Sequence, residues 1–336
     1  MSDPLVVIDA DVLGRHRTGD ETYVRELLRA LPAAGDGLRF AAITRHPELV
    51  PEGIEPIALP TRVQELRMAV RVPLLLRRLR PALAHFVHSL PLLLPCPAVL
   101  TVQDLSFERD RSLMGARETA IFRFVVPRSV HRARRVLAIS QRTKDDLVDL
   151  YHTAPEKIVV TPLAHDSAFR PGGTRGDYLL LSGSVEERKD PLLAAEAARV
   201  AGRPLVVVGP ERDASLVAEL RRRGADVRGF VSQDELVRLY QEAAALLFPT
   251  RYEGFGLPVA EAMACGTPVV ATDDPAVREV GAEAIAYAGR DSFAQTVVRV
   301  LADPEPWSHA GLERAQVFSW DRTAALTVEV YRQALA

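Results

Sequence analysis

Residues 251–272 read RYEGFGLPVAEAMACGTPVVAT, and this stretch decides how the rest of the chain is interpreted. Its two carboxylates, Glu253 and Glu261, are eight residues apart on either side of a Gly-Phe-Gly turn. The apolar run 246–249 before the turn predicts a strand, and the residues after the turn predict a helix. We therefore expect Glu253 at the tip of the strand and Glu261 on the first turn of the helix.

The predicted helix is short. Pro258 suits its first position, where the missing N–H has no intrahelical partner in any case. Gly266 followed by Pro268 is typical of a helix end. The helix should therefore run for about two turns and lead into an apolar strand at residues 269–271.

The turn between the glutamates favours an anionic ligand. Gly254 and Gly256 let bare backbone approach a ligand, and a helix start offers unpaired N–H groups and a positive dipole end. Any strand-loop-helix unit needs glycines and a cap, so a purely structural role is the alternative. Two acids around an uncharged stretch favour a pocket in which a diphosphate binds and a carboxylate accepts hydrogen bonds from sugar hydroxyls.

The composition is typical of an ordinary soluble globular protein, and the length is enough for about two domains. Its 336 residues are 48% hydrophobic and 26% charged. No apolar run approaches the roughly eighteen residues that a membrane helix needs, and no basic region precedes the first apolar stretch, so we expect a cytoplasmic protein. Its 2 cysteines are too few for a disulfide framework or a cysteine-based metal site.

Positive charge is concentrated in the first half. Residues 1–170 carry 24 Arg and Lys against 20 Asp and Glu, and the remainder carries 18 against 24. Residues 62–80 hold six arginines and one acid, and residues 109–135 hold eight arginines and two acids, both interleaved with apolar side chains. Each stretch is either a solvated helix face or a helix that contacts an anionic membrane surface or a phosphorylated acceptor. The split is too mild to predict nucleic-acid binding.

Strands alternate with helices along the whole chain, which predicts a parallel α/β architecture. The Pro/Gly-rich text FRPGGTRGD at residues 169–177 predicts a domain boundary. We expect an N-terminal domain at 1–168, a C-terminal domain at 177–315 and a terminal amphipathic helix within 316–336. The expected strands are 5–8, 40–44, 84–88, 98–102, 135–140, 158–161, 178–182, 205–208, 227–231, 246–249 and 269–271.

Several loops after these strands carry candidate ligands. Gly14 and Gly19 imitate a phosphate-binding loop, but Asp20-Glu21 occupy the places of its Lys and Ser/Thr, which excludes a P-loop NTPase. Asp9 and Asp11 supply too few ligands to predict a metal site. Asp104, which follows a strand, can reach a reaction centre or merely cap the next turn.

The loop after residues 178–182 carries Gly183, Ser184, Arg188 and Lys189. Only three of the 42 basic residues are lysines, so the chain almost always uses arginine for positive charge. A lysine at position 189, with its compact ammonium group, therefore favours a phosphate contact over a surface ion pair. Gly209 ends the next strand.

With these segments the chain resembles the family 4 glycosyltransferases. EGFGLPVAEAMACGTPVVAT matches the family's E-x7-E signature, and SGSVEERKD resembles its Gly-rich loop ending in Arg-Lys. RTGDETYVRELLRAL, TVQDLSFERD, LAISQRTKDDL and FSWDRTAALTVEVY are weaker matches, and the likeness is densest over residues 178–288. The resemblance implies a GT-B fold, with two Rossmann-like parallel-sheet domains facing a cleft and a C-terminal helix that crosses back to the first domain.

The resemblance also implies an activity, namely retaining transfer of a hexose from a nucleotide sugar without a metal or other cofactor. Glu261 would accept hydrogen bonds from the ribose, and the backbone near Phe230 and Val231 would contact the base. The implied catalytic residues are Asp104, Arg188, Lys189 and Glu253. The implied nucleotide-sugar contacts are Gly14, Gly183, Ser184, Arg188, Lys189, Gly209, Phe230, Val231, Glu253, Gly254, Phe255, Gly256, Leu257 and Glu261.

The resemblance is greatest to bacterial mannosyltransferases, so GDP-mannose is the favoured donor and UDP-sugars such as UDP-glucose or UDP-N-acetylglucosamine are the alternative. A glycan on a lipid carrier suits the basic first half, with peripheral contact at the inner face of a membrane; a small soluble acceptor stays open. Gln103 stands where the family often has His, and Leu163-Ala164 where it often has Asn-Gly. A non-catalytic nucleotide-sugar-binding homologue and a nucleotide-sugar epimerase therefore remain further possibilities.

Overall fold

A computed structural model describes residues 3–15, 18–109 and 116–336. The chain divides into two compact units, Met1–Leu163 with Ser319–Ala336, and Ala164–Phe318. Residues 110–115 of the second Arg-rich stretch lie outside the described part. Within that part, no helix has the length and apolarity needed to cross a bilayer.

The first unit is built on a parallel sheet of seven described strands, ordered β3-β2-β1-β4-β5-β6-β7. The strands are β1 (Leu5–Asp9), β2 (Arg39–Thr44), β3 (Glu55–Ala58), β4 (Leu83–Val87), β5 (Ala98–Val102), β6 (Arg135–Ala138) and β7 (Ile158–Val160). The helices are α1 (Thr18–Ala34), α2 (Gln64–Leu66), α3 (Val72–Leu79), α4 (Ser106–Arg109), α5 (Ala116–Arg132) and α6 (Gln141–Tyr151), with a π-helical turn at Arg67–Arg71 joining α2 to α3.

The second unit repeats the design with six described parallel strands, ordered β10-β9-β8-β11-β12-β13. The strands are β8 (Leu179–Ser182), β9 (Leu205–Val208), β10 (Asp226–Gly229), β11 (Ala245–Phe248), β12 (Val269–Thr272) and β13 (Ala286–Ala288). The helices are α7 (Pro191–Ala201), α8 (Ala214–Arg222), α9 (Gln233–Glu242), α10 (Leu257–Ala264), α11 (Pro275–Gly281), α12 (Phe293–Ala302) and α13 (Glu305–Ala315).

Burial explains why the strands read as continuous apolar runs. Every residue of β5, β8, β9 and β11 is buried, because helices cover both faces of a parallel sheet. The predicted parallel α/β architecture is therefore confirmed, including the two Rossmann-like sheets. Strands β3 and β13 were missed because each is an edge strand; β3 contains Pro56 and is mostly exposed, and β13 has three residues.

The predicted boundary segment 169–177 lies inside the second unit. Phe169 is buried and packs edge-to-face on Tyr240, with ring centroids 5.5 Å apart. The Gly176 amide donates to the Glu242 carbonyl at 2.6 Å, and Arg175 donates to the Gly266 carbonyl at 2.9 Å. These bonds hold a loop-like sequence against the second unit, so the division falls earlier, after Leu163.

The C-terminal helix α14 (Trp320–Leu335) returns to the first unit, as predicted, and packs on α1. Its Tyr331 hydroxyl lies 2.6 Å from His85 Nδ1 on β4, and His85 Nε2 lies 2.7 Å from the Thr101 hydroxyl on β5. The Tyr23 hydroxyl on α1 is 2.8 Å from the same Thr101 oxygen. Burial lowers the pKa of His85 to about 3, so its ring is neutral. A buried series of hydrogen-bonded side chains therefore connects α14 to the sheet.

Replacing Tyr331 with Phe should destabilise the first unit by about 1–3 kcal/mol, because His85 Nδ1 would remain buried without a partner. Urea unfolding followed by circular dichroism measures the loss, and hydrogen exchange should show faster opening of α14. Tyr287→Phe is the matched control, since that hydroxyl makes one long bond of 3.4 Å to the Val277 carbonyl in the other unit. Equal stability of Tyr331→Phe and wild type would contradict the anchoring role.

Candidate functional site

Three loops of the second unit meet where neighbouring strands β9, β8 and β11 end. Gly183 follows β8 and Gly209 follows β9, both with positive φ values, of 135° and 131°. A Cβ at position 209 would overlap the Gly183 carbonyl group. Only glycine fits there, and its absence of a side chain lets the two loops touch through their backbones.

The residue predicted to bind phosphate, Lys189, is paired with a predicted carboxylate from the next strand over. Its ammonium group bonds Glu253 Oε1, and the Thr250 hydroxyl donates to the same oxygen at 2.8 Å. Arg188 Nη1 lies 3.5 Å from that oxygen and donates to the Tyr252 carbonyl at 2.7 Å. Loops separated by 64 residues in sequence are thereby joined by charge.

Burial and charge act against each other in this pair. Burial lowers the pKa of Lys189, although the neighbouring Glu253 acts to raise it. Burial would raise the pKa of Glu253, but Lys189 and Arg188 outweigh it and hold that pKa below its usual value. Glu253 is therefore an anion at neutral pH, held in a buried position by two cations.

A second carboxylate, Glu186, orients Arg188. Its Oε1 accepts from Arg188 Nη2 at 2.9 Å and from the Ser184 hydroxyl at 2.7 Å. Within the described contacts, the two cations thus face two carboxylates. An incoming anion has to compete with Glu186 and Glu253 for these cations.

The Gly-Phe-Gly turn leads directly into α10, and the predicted short helix is confirmed. Glu261 lies on its second turn and not on the first as predicted, and Glu253 lies in the loop after β11 and not at the tip of that strand. Gly256 has a φ of +107°, a conformation that residues with side chains rarely adopt, and Leu257 begins the helix. Phe255 is buried against Phe318 with centroids 5.7 Å apart, so only its backbone can face a ligand. Gly254 is buried as well. In the first turn of α10, Pro258 has no N–H and the Val259 amide donates to the Gly256 carbonyl at 2.9 Å, so an anion at this helix start would contact the Leu257 amide and the positive dipole end.

Glu261 is held separately from the Lys189–Glu253 pair. On α10, its Oε2 accepts a hydrogen bond from the buried Tyr240 hydroxyl of α9 at 2.8 Å. Burial raises the pKa of Glu261 to about 7, with Asp166 acting in the same direction and the Tyr240 hydrogen bond against it. Burial, with Glu261 nearby, raises the pKa of Tyr240 well above its usual value, so the hydroxyl remains a donor.

The predicted base contacts lie just beyond β10. The strand ends at Gly229, two residues earlier than expected, and places Phe230 and Val231 in the following loop. Phe230 is 59% exposed. An exposed aromatic ring at the end of a strand can stack on a planar base.

The predicted residues of the first unit make local contacts. Asp104 Oδ1 accepts from the Ser106 amide at 2.9 Å and from the Ser106 hydroxyl at 2.7 Å, so Asp104 caps the start of α4. Gly14 has a φ of +76°, and its amide donates to Glu21 at 2.9 Å.

The Asp9 and Asp11 carboxylates are occupied by arginines. Arg67, which is fully buried, bonds both carboxylate oxygens of Asp9, and Arg45 donates to Asp11 at 2.9 Å. Across the described ranges, no cluster of three His, Cys, Asp or Glu side chains is arranged for a metal ion.

Sequence reasoning missed three residues that shape the site. Thr250 and Glu186 position the charged groups, and Tyr240 bonds Glu261. Thr250 could have been found as a polar residue directly after a buried strand. Tyr240 gave no signal, because a tyrosine on the apolar side of a helix is indistinguishable from an ordinary core residue.

Two protein-family models match this chain. The model described as "Glycosyl transferases group 1" matches residues 176–303, and "Glycosyltransferase Family 4" matches residues 17–169. The chain belongs to glycosyltransferase family 4. Together the two matches divide this family 4 chain much as its two sheets do.

Curated relatives of the family 4 chain include a D-inositol 3-phosphate glycosyltransferase of Frankia alni, 31% identical over 243 residues, which cover 60% of this chain and 59% of the relative. The O-antigen chain mannosyltransferase B of Escherichia coli is 28% identical over 236 residues, which cover 61% and 62%. The matched stretch spans less than two thirds of either relative.

The solved structure of sucrose-phosphate synthase from Thermosynechococcus elongatus is similar to the family 4 chain over 98% of each. The TM-score is 0.80 at 20% sequence identity. The two proteins share a fold, and the GT-B class predicted for this chain is confirmed.

Proposed function

We propose that this chain is a retaining glycosyltransferase that moves a hexose from a nucleoside diphosphate sugar to a glycan or lipid-linked acceptor. Mannose is the favoured hexose. The observation that carries the proposal is the convergence of Arg188, Lys189 and Glu253 beside the Gly-rich turn that starts α10. Two cations and a helix start fit a pyrophosphate, and a fixed carboxylate fits sugar hydroxyls.

Electrostatic stabilisation is the main catalytic effect expected here. A nucleoside diphosphate leaves once the negative charge that develops on it is stabilised by donors already in position. Lys189 and Arg188 would supply the positive charge that stabilises the leaving diphosphate, and the backbone of the turn would add N–H groups. We therefore expect no requirement for a metal ion.

The proposed transfer proceeds on one face of the sugar. The acceptor oxygen forms a bond to the anomeric carbon on the same side from which the diphosphate oxygen departs. The acceptor proton passes to a phosphate oxygen of the leaving group, so the chain needs no general base. Asp104 keeps its capping bonds to Ser106 in this scheme and contributes through the position of its loop.

The nucleoside would be held by the other predicted contacts. Glu261 in its carboxylate form accepts hydrogen bonds from the ribose hydroxyls, and Tyr240 fixes its orientation. The base would lie near Phe230 and Val231, and it would stack on the exposed face of the Phe230 ring. Gly183, Ser184 and Gly209 would let the diphosphate approach the loops after β8 and β9.

Mannose is favoured as the transferred sugar because a relative named as an O-antigen chain mannosyltransferase matches about three fifths of the chain. The relatives named as D-inositol 3-phosphate glycosyltransferases match a similar share, and their name supports a phosphorylated acceptor.

Incubation with radiolabelled GDP-mannose, UDP-glucose and UDP-N-acetylglucosamine tests the proposal. We expect slow release of free mannose from GDP-mannose, because retaining transferases without acceptor pass the sugar to water. Release from a UDP-sugar instead would correct the donor. Conversion of the bound sugar to an epimer, or binding without release, would overturn transfer. Lys189→Met is the negative control for the release.

A further inference from the structure

One face of the first unit carries exposed apolar side chains among arginines. Of the large hydrophobic side chains exposed in the described chain, eight lie on two segments of this unit. We call this surface the basic apolar face. Its apolar members are Val63, Leu66, Val70, Leu74, Leu92, Leu93, Ile121 and Phe124.

Both segments cover the same side of the sheet. Val72 and Leu76 of α3 and Val126 and Val130 of α5 are buried in one core cluster with alternate residues of the strands. The opposite sides of α3 and α5 therefore point away from that sheet face. The α1 and α14 pair covers the other face, through Tyr23 and Tyr331.

The first segment has the spacing of a single helical stripe. Leu66, Val70 and Leu74 are separated by four residues each along α2, the π-helical turn and α3, and Val63 lies three residues before Leu66 at the start of α2. These four side chains are between 42% and 57% exposed. Beside them stand exposed arginines and one acid, Glu65; the arginines are Arg62, Arg71, Arg77, Arg78 and Arg80.

The second segment joins a loop to α5. Leu92 and Leu93 are 69% and 60% exposed in the loop after β4. That loop is fastened to α5, because Arg132 donates to the Pro91 carbonyl at 2.9 Å. The Arg128 guanidinium stacks on the exposed Phe124 ring, 3.4 Å from its centroid. Residues 119–132 contain no acid.

The composition of the face selects its occupant. Single exposed apolar side chains are ordinary on a protein surface, whereas several that share one face mark an interaction site. Among the described side chains of the face, arginines stand with a single acid, Glu65, so the face repels a basic partner and attracts a negatively charged one. Aliphatic tips that enter an apolar layer while arginines remain at its charged boundary match a lipid headgroup region.

We propose that the basic apolar face docks on an anionic lipid bilayer, with the α2–α3 stripe and the Leu92–Leu93 loop entering the headgroup layer. The inference does not depend on the proposed sugar transfer, because none of these residues belongs to the second unit. Arg67 is excluded from the face, since it is buried and bound to Asp9.

Co-sedimentation of the full chain with vesicles tests the proposal. We expect binding to an equimolar mixture of phosphatidylcholine and phosphatidylglycerol, and little binding to phosphatidylcholine alone. Added salt should weaken the binding, because the attraction of arginines to the surface is screened. Equal binding to both vesicle types, or none to either, would overturn the proposal.

Two variants separate charge from insertion. Arg77→Glu with Arg78→Glu should weaken binding by at least tenfold, since each arginine near an anionic surface contributes about fivefold. Leu74→Gln with Leu93→Gln should weaken it by a similar factor while salt dependence persists. The matched control is Val200→Gln with Val298→Gln, which changes residues that are 43% and 44% exposed in the second unit. That control should bind like wild type.

Three results would count against a lipid occupant. The control variant could lose binding as strongly as the face variants do, or the face variants could bind unchanged while their thermal unfolding matches wild type. Analytical ultracentrifugation without lipid supplies the third. A dimer that Leu74→Gln with Leu93→Gln dissociates would assign the face to a second copy of the chain. Failure of vesicle binding leaves the donor assay unaffected, so the two proposals are tested separately.

Discussion

Lys189→Met should reduce sugar release from the preferred nucleotide sugar by about 10²–10³-fold, the usual effect of removing one preorganised donor from a developing negative charge. Methionine keeps the length and apolar stem of lysine but has no charge. The Lys189 side chain is only 11% exposed, and its ammonium nitrogen lies 5.1 Å from the centroid of the Phe248 ring, so the methionine would occupy a buried position. Turnover measured at saturating donor reports the change in the chemical step.

The same substitution should lower the free energy of unfolding, because Glu253 loses its direct cationic partner while it remains buried. Removing one member of a buried ion pair costs about 3–5 kcal/mol, and the Thr250 donor and Arg188 offset part of that here. The double variant Lys189→Met with Glu253→Gln should recover most of the stability. It should not recover turnover. This pattern separates a catalytic cation from a merely structural ion pair.

Glu253→Gln supplies a control with the opposite sign. It frees Lys189 from competition, so the nucleoside diphosphate product should bind at least as tightly as to wild type, while Lys189→Met should bind it more weakly. Isothermal titration with GDP and UDP measures both. Wild-type turnover in Lys189→Met, or weaker diphosphate binding in Glu253→Gln, would contradict the proposed role of the cation. Arg221→Ala, which breaks a surface pair with Glu211, should change neither quantity.

Local signals made the centre of the site predictable. Pro258 and Gly266 marked the two ends of a helix, and the structure begins α10 at Leu257 and ends it at Ala264. Both signals act through the backbone of their own turn, so no tertiary information was needed. The strand runs were equally visible, because strands buried on both faces are continuously apolar.

Contacts between distant segments could not be predicted from the sequence. Lys189 meets Glu253 because β8 and β11 are neighbours, an order that the sequence does not state. Tyr240 meets Glu261 through the packing of α9 and α10. The sequence made Asp104 equally suited to a reaction centre and to a helix cap, because an acid that follows a strand can take either role. The arginines of 62–80 likewise looked alike, although Arg67 turns inward to Asp9.

The two glutamates should titrate on opposite sides of the usual range. The cations beside Glu253 hold its pKa low, whereas burial raises the pKa of Glu261 to about 7. If ribose binding needs the Glu261 carboxylate, the KM for the donor should increase as pH falls below 7. It should be about tenfold higher at pH 6 than its plateau value, since about one tenth of the groups are then ionised. Steady-state kinetics across this range measures the profile.

Glu261→Gln should abolish that profile and leave the KM for the donor uniformly high, because an amide keeps no charge to lose. The unliganded variant should also gain stability at alkaline pH. A carboxyl whose pKa is raised on folding, here from 4.5 to about 7, stabilises the folded state below pH 4.5 and loses this contribution as pH rises through 7. At pH 8 the gain should be at most about 3 kcal/mol, because the pKa rises from 4.5 to about 7 and each unit corresponds to about 1.36 kcal/mol.

Tyr240→Phe distinguishes this titration from a general loss of structure. The Tyr240 hydroxyl donates to Glu261 and favours its charged form, so its removal should move the pH dependence of the KM to higher pH. Tyr178→Phe, which removes another hydroxyl bond in the same unit, should leave the midpoint unchanged. A midpoint near 4.5 in wild type, or one unmoved by Tyr240→Phe, would remove Glu261 from the ribose contact. A flat Glu261→Gln profile with wild-type KM would do the same, because the carboxylate would then contribute nothing to donor binding.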